Sequence, residues 1–201
     1  MDYALVALSQ LDDEGVKHLA ALHHSVMHTL LSDLGLPIVL RYYQVARNDP
    51  LVIGLCLVSP SGEMLGWALG SPHPDRINSY LRAPFTWFLF QMLRVAFTRP
   101  LVFWQLVSSV LKSSIHLQMK SSAIELTYIG VASHQRVKGL GKKLLYAFIE
   151  ASRLKDYDSI LLTVETDNSP AISLYENAGF KIIKTYSEGH HQRHRMELVL
   201  A

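Results

Sequence analysis

The chain has 201 residues, 49% of them hydrophobic and 18% charged, a composition that describes a globular protein with either one sizeable domain or a domain carrying an insertion. Its net charge of +2, with no long run of either sign, gives no electrostatic footprint for nucleic acid. The single Cys56 excludes an internal disulfide framework and fits a reducing cytoplasm. Residues 1–30 lack the basic start and apolar centre of a secretory signal, so a cytoplasmic protein is expected.

In chain order, "ALVALS" reads as a strand. Ser9 followed by Asp12 suggests a capping box that starts a helix over 12–26. A second helix is predicted over 32–47, interrupted or preceded by "GLP" at 35–37. "LVIGLCLVSP", "SGE" and "MLGWALGS" then form a hairpin with its turn at 60–62. After a long segment, 72–120, come a strand at 123–131, a helix at 140–154, a strand at 159–165 and a helix at 169–178. "FKIIKTYSEG" and "RHRMELVL" finish as an antiparallel pair. Strands alternating with helices in the second half argue for an α/β fold with a mixed central sheet flanked by helices.

Two stretches carry chemistry. "RVKGLGKK", residues 136–143, stands between a strand and an amphipathic helix. A helix start leaves backbone N–H groups free and carries partial positive charge. Lysines there have the wrong sign for the dipole unless an anion sits among them, so Arg136, Lys138, Lys142 and Lys143 suit a polyphosphate, with a solvated basic surface as the alternative. The pattern is neither a P-loop nor a dinucleotide fingerprint. Thirty residues on, "VETDNSPAISLYENAGF" offers Asn168 or Ser169 as a helix cap, Pro170 in the first turn and Gly179 as a stop.

Together these stretches resemble the GNAT superfamily of N-acetyltransferases. Arg136, Gly139 and Gly141 fill the fixed positions of its acetyl-CoA motif, Q/R-x-x-G-x-G/A. Asn168, Ala171, Leu174, Tyr175, Gly179 and Phe180 match its N-x-x-A-x-x-L-Y-x-x-x-G-F. The resemblance covers 123–200 firmly and 1–71 more loosely, and implies one acetyltransferase domain over 1–201, with 72–120 as a helical insertion between the third and fourth strands. It implies that backbone amides of Arg136, Val137, Lys138, Gly139, Leu140, Gly141 and Lys142 hold the pyrophosphate of acetyl-CoA. The pantetheine arm would follow Ile129, Gly130 and Val131, where the strand splays from 164–167, with Asn168 beside the cofactor.

Acetyl transfer to an amine needs a base, a donor to the carbonyl oxygen and an acid for the thiolate. The resemblance makes Tyr175 the acid and an amide near Gly130 the donor. Glu125 is the candidate base; alternation sets 125, 127 and 129 on one face, and a bulge would change that parity. His134, His23 and His24 are the other candidates. His24 with His28, and the pair at 190 and 194, have the spacing of metal ligands but neither a glutamate between them nor a third ligand, so no metal is expected.

The segment "FTWFLFQMLRVAFTRPLVFWQLVSSVL" is helical in composition, split at Arg99-Pro100, and too short on either side of Arg94 and Arg99 to span a membrane. A helix apolar all round has to be covered, by the core, by a second copy of the chain or by a membrane surface contacting 85–111. The expected acceptor is a primary amine on a small molecule, such as an amino sugar or a nucleotide-linked amine. A protein N-terminus, or a sensor that binds acetyl-CoA without turnover, remains as the alternative.

Overall fold

The computed structural model describes residues 3–27, 29–81, 84–101, 104, 122–132, 139–188 and 191–200. Strand β1 (Ala4–Ala7) leads to helices α1 (Asp13–Val26), α2 (Leu30–Asp33) and α3 (Leu36–Asn48). A hairpin of β2 (Ile53–Val58) and β3 (Met64–Ser71) is followed by α4 (Pro74–Leu81) and α5 (Phe85–Thr98). Then come β4 (Ala123–Val131), α6 (Leu140–Arg153), β5 (Ser159–Glu165), α7 (Ser169–Asn177), β6 (Lys181–Glu188) and β7 (His191–Val199).

Local chemistry sets most of these boundaries. The Asp12 carboxylate accepts from the Gly15 N–H at 2.8 Å and caps α1 directly, while Ser9 lies in a separate 3-10 turn; the expected capping box is replaced by this simpler cap. Gly35, at φ 98°, separates the short α2 from α3, so the interruption expected at "GLP" falls there and the helical stretch runs as two helices. Helix α5 stops at Thr98, ahead of Pro100. Asn168 Oδ1 accepts from the Ala171 N–H to start α7, and Gly179, at φ 97°, ends its C-terminal turn.

The seven strands form one sheet in the order β1-β2-β3-β4-β5-β7-β6, antiparallel throughout except for β4 with β5. The last hairpin was legible as a pair, but β7 also lies against β5. The α7 crossover sets β6 one place too far for pairing with β5, and β7 fills the gap antiparallel to both. Helix α6 packs on one face through Leu144, Leu145 and Phe148, against Ile124, Leu126 and Ile160. Helices α1 and α3 pack on the other, around Leu19, Tyr43, Trp67 and Leu69.

Strand β4 decides the site. Its pairing with β3 runs on to Val131, whereas its pairing with β5 ends at Leu126 opposite Leu162. Against β3, Leu126 opposes Gly70 and Tyr128 opposes Leu69, so Thr127 is an extra residue. A bulge bends the strand that carries it, and β4 parts from β5 at that residue. The bulge also changes parity: Ile129 and Val131 join Ile124 and Leu126 on the α6 face, while Tyr128 packs with the α1/α3 cluster. The alternation that grouped Glu125 with Ile129 therefore fails. Glu125 shares its face with Tyr128.

Between β3 and β4 the described helices are α4 and α5. Ile77 and Leu81 of α4 are buried with the α1/α3 cluster, and Trp87 and Met92 of α5 rest against it. Helix α5 buries Gln91 and Val95 but exposes Phe85, Leu89, Phe90, Leu93 and Phe97, the last at 87%. The α1/α3 cluster covers one face of α5, and the face with these exposed side chains has no cover among the described residues. Among these residues no helix is long and apolar enough to cross a membrane.

Candidate active site

The parted strands and the start of α6 define the cofactor side. Gly139, at φ 91°, caps α6 with no side-chain hydrogen bond, and the first helical bond runs from the Lys143 N–H to the Gly139 carbonyl. Helix geometry leaves the N–H groups of Leu140, Gly141 and Lys142 without intrahelical partners. Among the described residues, a Cβ added at Gly139 would meet nothing within 4 Å, and one at Gly141 would meet only Leu174 Cδ2 at 3.8 Å. These glycines therefore do not serve packing. They leave a clear approach to three free amides at the positive end of a helix. Lys142 leans over the Tyr146 ring and Lys143 over the Tyr3 ring, 5.6 and 4.5 Å from the centroids. Donors, dipole and cations fit a pyrophosphate, and the uncovered edge of β4 at Ile129, Gly130 and Val131 fits an extended arm. Arg136, Val137, Lys138 and His134 lie outside the described residues.

Helix α7 stands beside this turn, with Leu174 facing Gly141. Tyr175, the next residue, is buried with its ring 5.8 Å from that of Phe180. Burial pushes its phenol up to about 12, so it holds its proton at neutral pH. The hydroxyl has no hydrogen-bond partner among the described residues and remains available as a donor. The Asn168 carbonyl is committed to the α7 cap.

The opposite face is polar and aromatic. Glu125 is gripped by Arg195 of β7: Nη1 donates to Oε1 at 2.7 Å and Nη2 to Oε2 at 3.0 Å, while Nη1 also reaches Thr163 Oγ1 at 3.0 Å. Arg195 is buried and Glu125 partly exposed. Above them, Gly130 is covered by the Trp67 ring and the Met27 methyl; a Cβ there would sit 2.7 Å from Trp67 Cη2 and 3.1 Å from Met27 Cε. His23 lies behind, fully buried, with Nδ1 2.7 Å from the Tyr43 hydroxyl and its ring centroid 4.8 Å from that of Tyr128. Desolvation, with His24 adding to it, lowers the His23 pKa to about 4, so the imidazole is neutral.

Sequence reasoning singled out Glu125 and Tyr175 but missed Arg195, Tyr128 and Trp67. The register of β7 against β5 places Arg195 beside Glu125, and nothing local in "RHRMELVL" indicates that neighbour. His23 faces the aromatic core, whereas His24 lines a cavity with α5. Among the described residues, no three His, Cys, Asp or Glu side chains group as metal ligands.

A parted parallel strand pair with a glycine-started helix at its mouth is an arrangement that suits a coenzyme A thioester. The family model for the acetyltransferase (GNAT) family matches residues 20–180, and the chain belongs to that family. Curated relatives match a shorter stretch. A mycothiol acetyltransferase of Corynebacterium aurimucosum is 39% identical over 62 residues, 31% of this chain and 20% of that protein. One of Renibacterium salmoninarum is 43% identical over 56 residues, 28% of this chain and 17% of that protein. The chain thus spans about a fifth of the length of these relatives.

Solved structures agree on the fold. The ribosomal-protein-S18-alanine N-acetyltransferase of Escherichia coli superposes with a TM-score of 0.61 at 14% identity, over 98% of this chain and 94% of that one. The protein yncA of Salmonella typhimurium, solved with its cofactor acetyl-CoA, does so at 0.62 and 13% identity, over 100% and 95% of the two chains.

Proposed function

We propose that this protein transfers the acetyl group of acetyl-CoA directly to a primary amine on a small molecule, with both substrates bound at once. The observation that carries the reading is the parting of β4 from β5 at Thr127, with a free helix end on one face of the gap and a polar, aromatic floor on the other. Bound there, acetyl-CoA supplies an activated thioester.

The chain's own residues then have separable tasks. The amides of Leu140, Gly141 and Lys142, with the charge of Lys142, hold phosphate oxygens, and the β4 main chain at Ile129–Val131 aligns the arm and donates to the carbonyl oxygen. Arg136, Val137 and Lys138 are assigned to the same phosphates by the sequence motif alone, and Asn168 caps α7. An N–C bond forms as the C–S bond breaks. The amine proton passes to Glu125 and the thiolate receives a hydrogen bond from Tyr175.

Two magnitudes shape these roles. Strand rise of about 3.3 Å per residue puts Glu125 more than about 10 Å along β4 from the Ile129 amide. Both carboxylate oxygens also accept from Arg195, so Glu125 takes the proton through water. The Tyr175 phenol, at about 12, lies above an ordinary thiol at about 8.5, so Tyr175 stabilises the departing sulfur chiefly by donating a hydrogen bond.

A small acceptor is favoured because α5 stands over α1 and α3 on the acceptor side, with Trp87 and Met92 against their cluster. The test is thiol release from acetyl-CoA across a library of primary amines that includes mycothiol-related amines, with product mass read in parallel. Turnover on a small amine, giving one added acetyl group, is the expected result. Tight coenzyme A binding with no turnover on any amine would overturn it in favour of a sensor, and turnover confined to peptide N-termini would overturn the small acceptor.

A further inference from the structure

A cavity of about 190 Å³ lies between α1, the turn from α2 to α3, and α5. At about 30 Å³ per water it has room for an acidic group and a few waters. It is lined by His24 of α1, by Leu34–Pro37, by Gln91, Arg94, Val95 and Thr98 of α5, and by Arg99. No carboxylate is among those residues.

Three observations give the cavity a sign. Arg94 and Arg99 both border it, and Arg99 is oriented by donating from Nη1 to the Asp33 carbonyl at 3.0 Å. Helix α3, 13 residues long, begins at its wall, and Gly35 provides no side-chain cap for the Leu36 N–H. The positive end of a dipole therefore adds to the two guanidinium charges. Gln91 is the third. It is 8% exposed and lines the cavity, yet its amide has no hydrogen-bond partner among the described residues. Beside it, the buried Nδ1 of His24 also lacks a partner.

Helix α5 sets this glutamine at the cavity wall while exposing five large apolar residues, a choice that packing alone does not favour. A small anion in the cavity would accept from the Gln91 amide, which can donate there beside the two guanidinium groups.

We propose that this cavity is a binding site for a small oxyanion, a carboxylate or phosphate group, and that the group belongs to the acceptor. The second clause rests on the transferase reading; the first does not. The position suits it: His24 lies in the last turn of α1, whose C-cap, Met27, covers Gly130. An acceptor anchored here by its acidic group presents its amine toward the parted strands.

The test begins with inorganic phosphate titrated into the full chain at saturating coenzyme A, so that the α6 amides are already filled. Phosphate should bind at one site. Arg94→Gln should weaken it at least tenfold, as should Gln91→Leu, which removes the amide donor and should leave Tm nearly unchanged. Absence of saturable binding in the unaltered chain, or unchanged affinity in both variants, would overturn the site. That dependence on Arg94 and Gln91 decides the matter whether or not coenzyme A binds, and coenzyme A affinity on the same samples reports separately on the transferase reading.

The source of the anion is read from β-alanine and its amide as paired acceptors. A KM at least tenfold lower for the carboxylate, lost in Arg94→Gln, with phosphate competing against it, supports the acceptor. Phosphate that binds through Arg94 without competing against any amine overturns the assignment to the acceptor and leaves a site for a free anion.

Discussion

The two faces of the sheet are built by different rules. On the α6 face, buried positions are aliphatic or aromatic and follow the helix and strand periods: Leu144, Leu145 and Phe148 meet Ile124, Ile160 and Leu162. On the α1/α3 face a histidine, two tyrosines and a tryptophan share the core, an arginine grips a glutamate on the sheet, and α5 turns phenylalanines outward while burying a glutamine. The first face has to hold a helix end and a strand edge in fixed relation. The second has to recognise something. Burial of polar groups at a cost in stability is the expected signature of that second task.

The sharpest way to break this contrast is on the cofactor side. Gly141→Glu places bulk and negative charge where a Cβ would meet only Leu174, at a helical position free of the backbone strain that would confound Gly139. Acetyl-CoA affinity should fall at least about a thousandfold with Tm nearly unchanged, measured by calorimetry. Unchanged affinity would remove the phosphate cradle.

The recognition side should reveal itself through pH. Folding lowers the His23 pKa from 6.5 to about 4, so between those values the unfolded chain binds more protons than the folded one. The neutral ring's contribution is complete above pH 6.5 and is lost as pH falls toward 4, about 3 kcal/mol in all. Chemical denaturation across that window should show the slope, and His23→Leu should flatten it.

Tyr175→Phe should cut turnover by roughly a hundredfold, about 2.7 kcal/mol, while acetyl-CoA affinity stays put. Equal losses in both would reduce Tyr175 to packing. Glu125→Gln leaves Arg195 buried beside a neutral amide and should destabilise by about 2 kcal/mol, less than a fully buried pair because Glu125 is partly exposed. Adding Arg195→Met should restore Tm, and turnover of that folded double variant then isolates the role of Glu125 as a base. The smallest effect belongs to α5: Phe90→Glu, at an exposed position, should change stability by under about 0.5 kcal/mol, whereas Trp87→Glu, which rests on the core, should cost several times more. Sedimentation and liposome binding of Phe90→Glu against the unaltered chain decide whether the outward phenylalanines meet a second copy or a lipid surface.

What the sequence made legible follows from range. The glycine turn, the α7 cap and the strand and helix of 123–153 are local patterns with mechanical causes, and the elements fall within one or two residues of their expected bounds. Thr127 defeats parity because a bulge is a relation between two strands; "IELTYIGV" by itself carries no mark of it. Arg195 pairs with Glu125 across 70 positions, through a strand order that hydrophobic pattern alone does not fix. The same limit hid the anion cavity. His24, Gln91 and Arg94 belong to helices α1 and α5, which meet only through the tertiary fold.

The place of β7 in the sheet has a consequence for how the protein comes to exist on the ribosome. Synthesis delivers β5 and then β6, but β6 joins the sheet through β7, so this side closes when the β6–β7 hairpin docks on β5. Long-range pairings of this kind form late and slowly. Because Arg195 rides on β7, the carboxylate of Glu125 waits for its guanidinium until that closing step. A nascent chain with its glycine turn and α6 already formed still lacks the partner that fixes Glu125, so its two substrate sides mature in sequence, the cofactor side first.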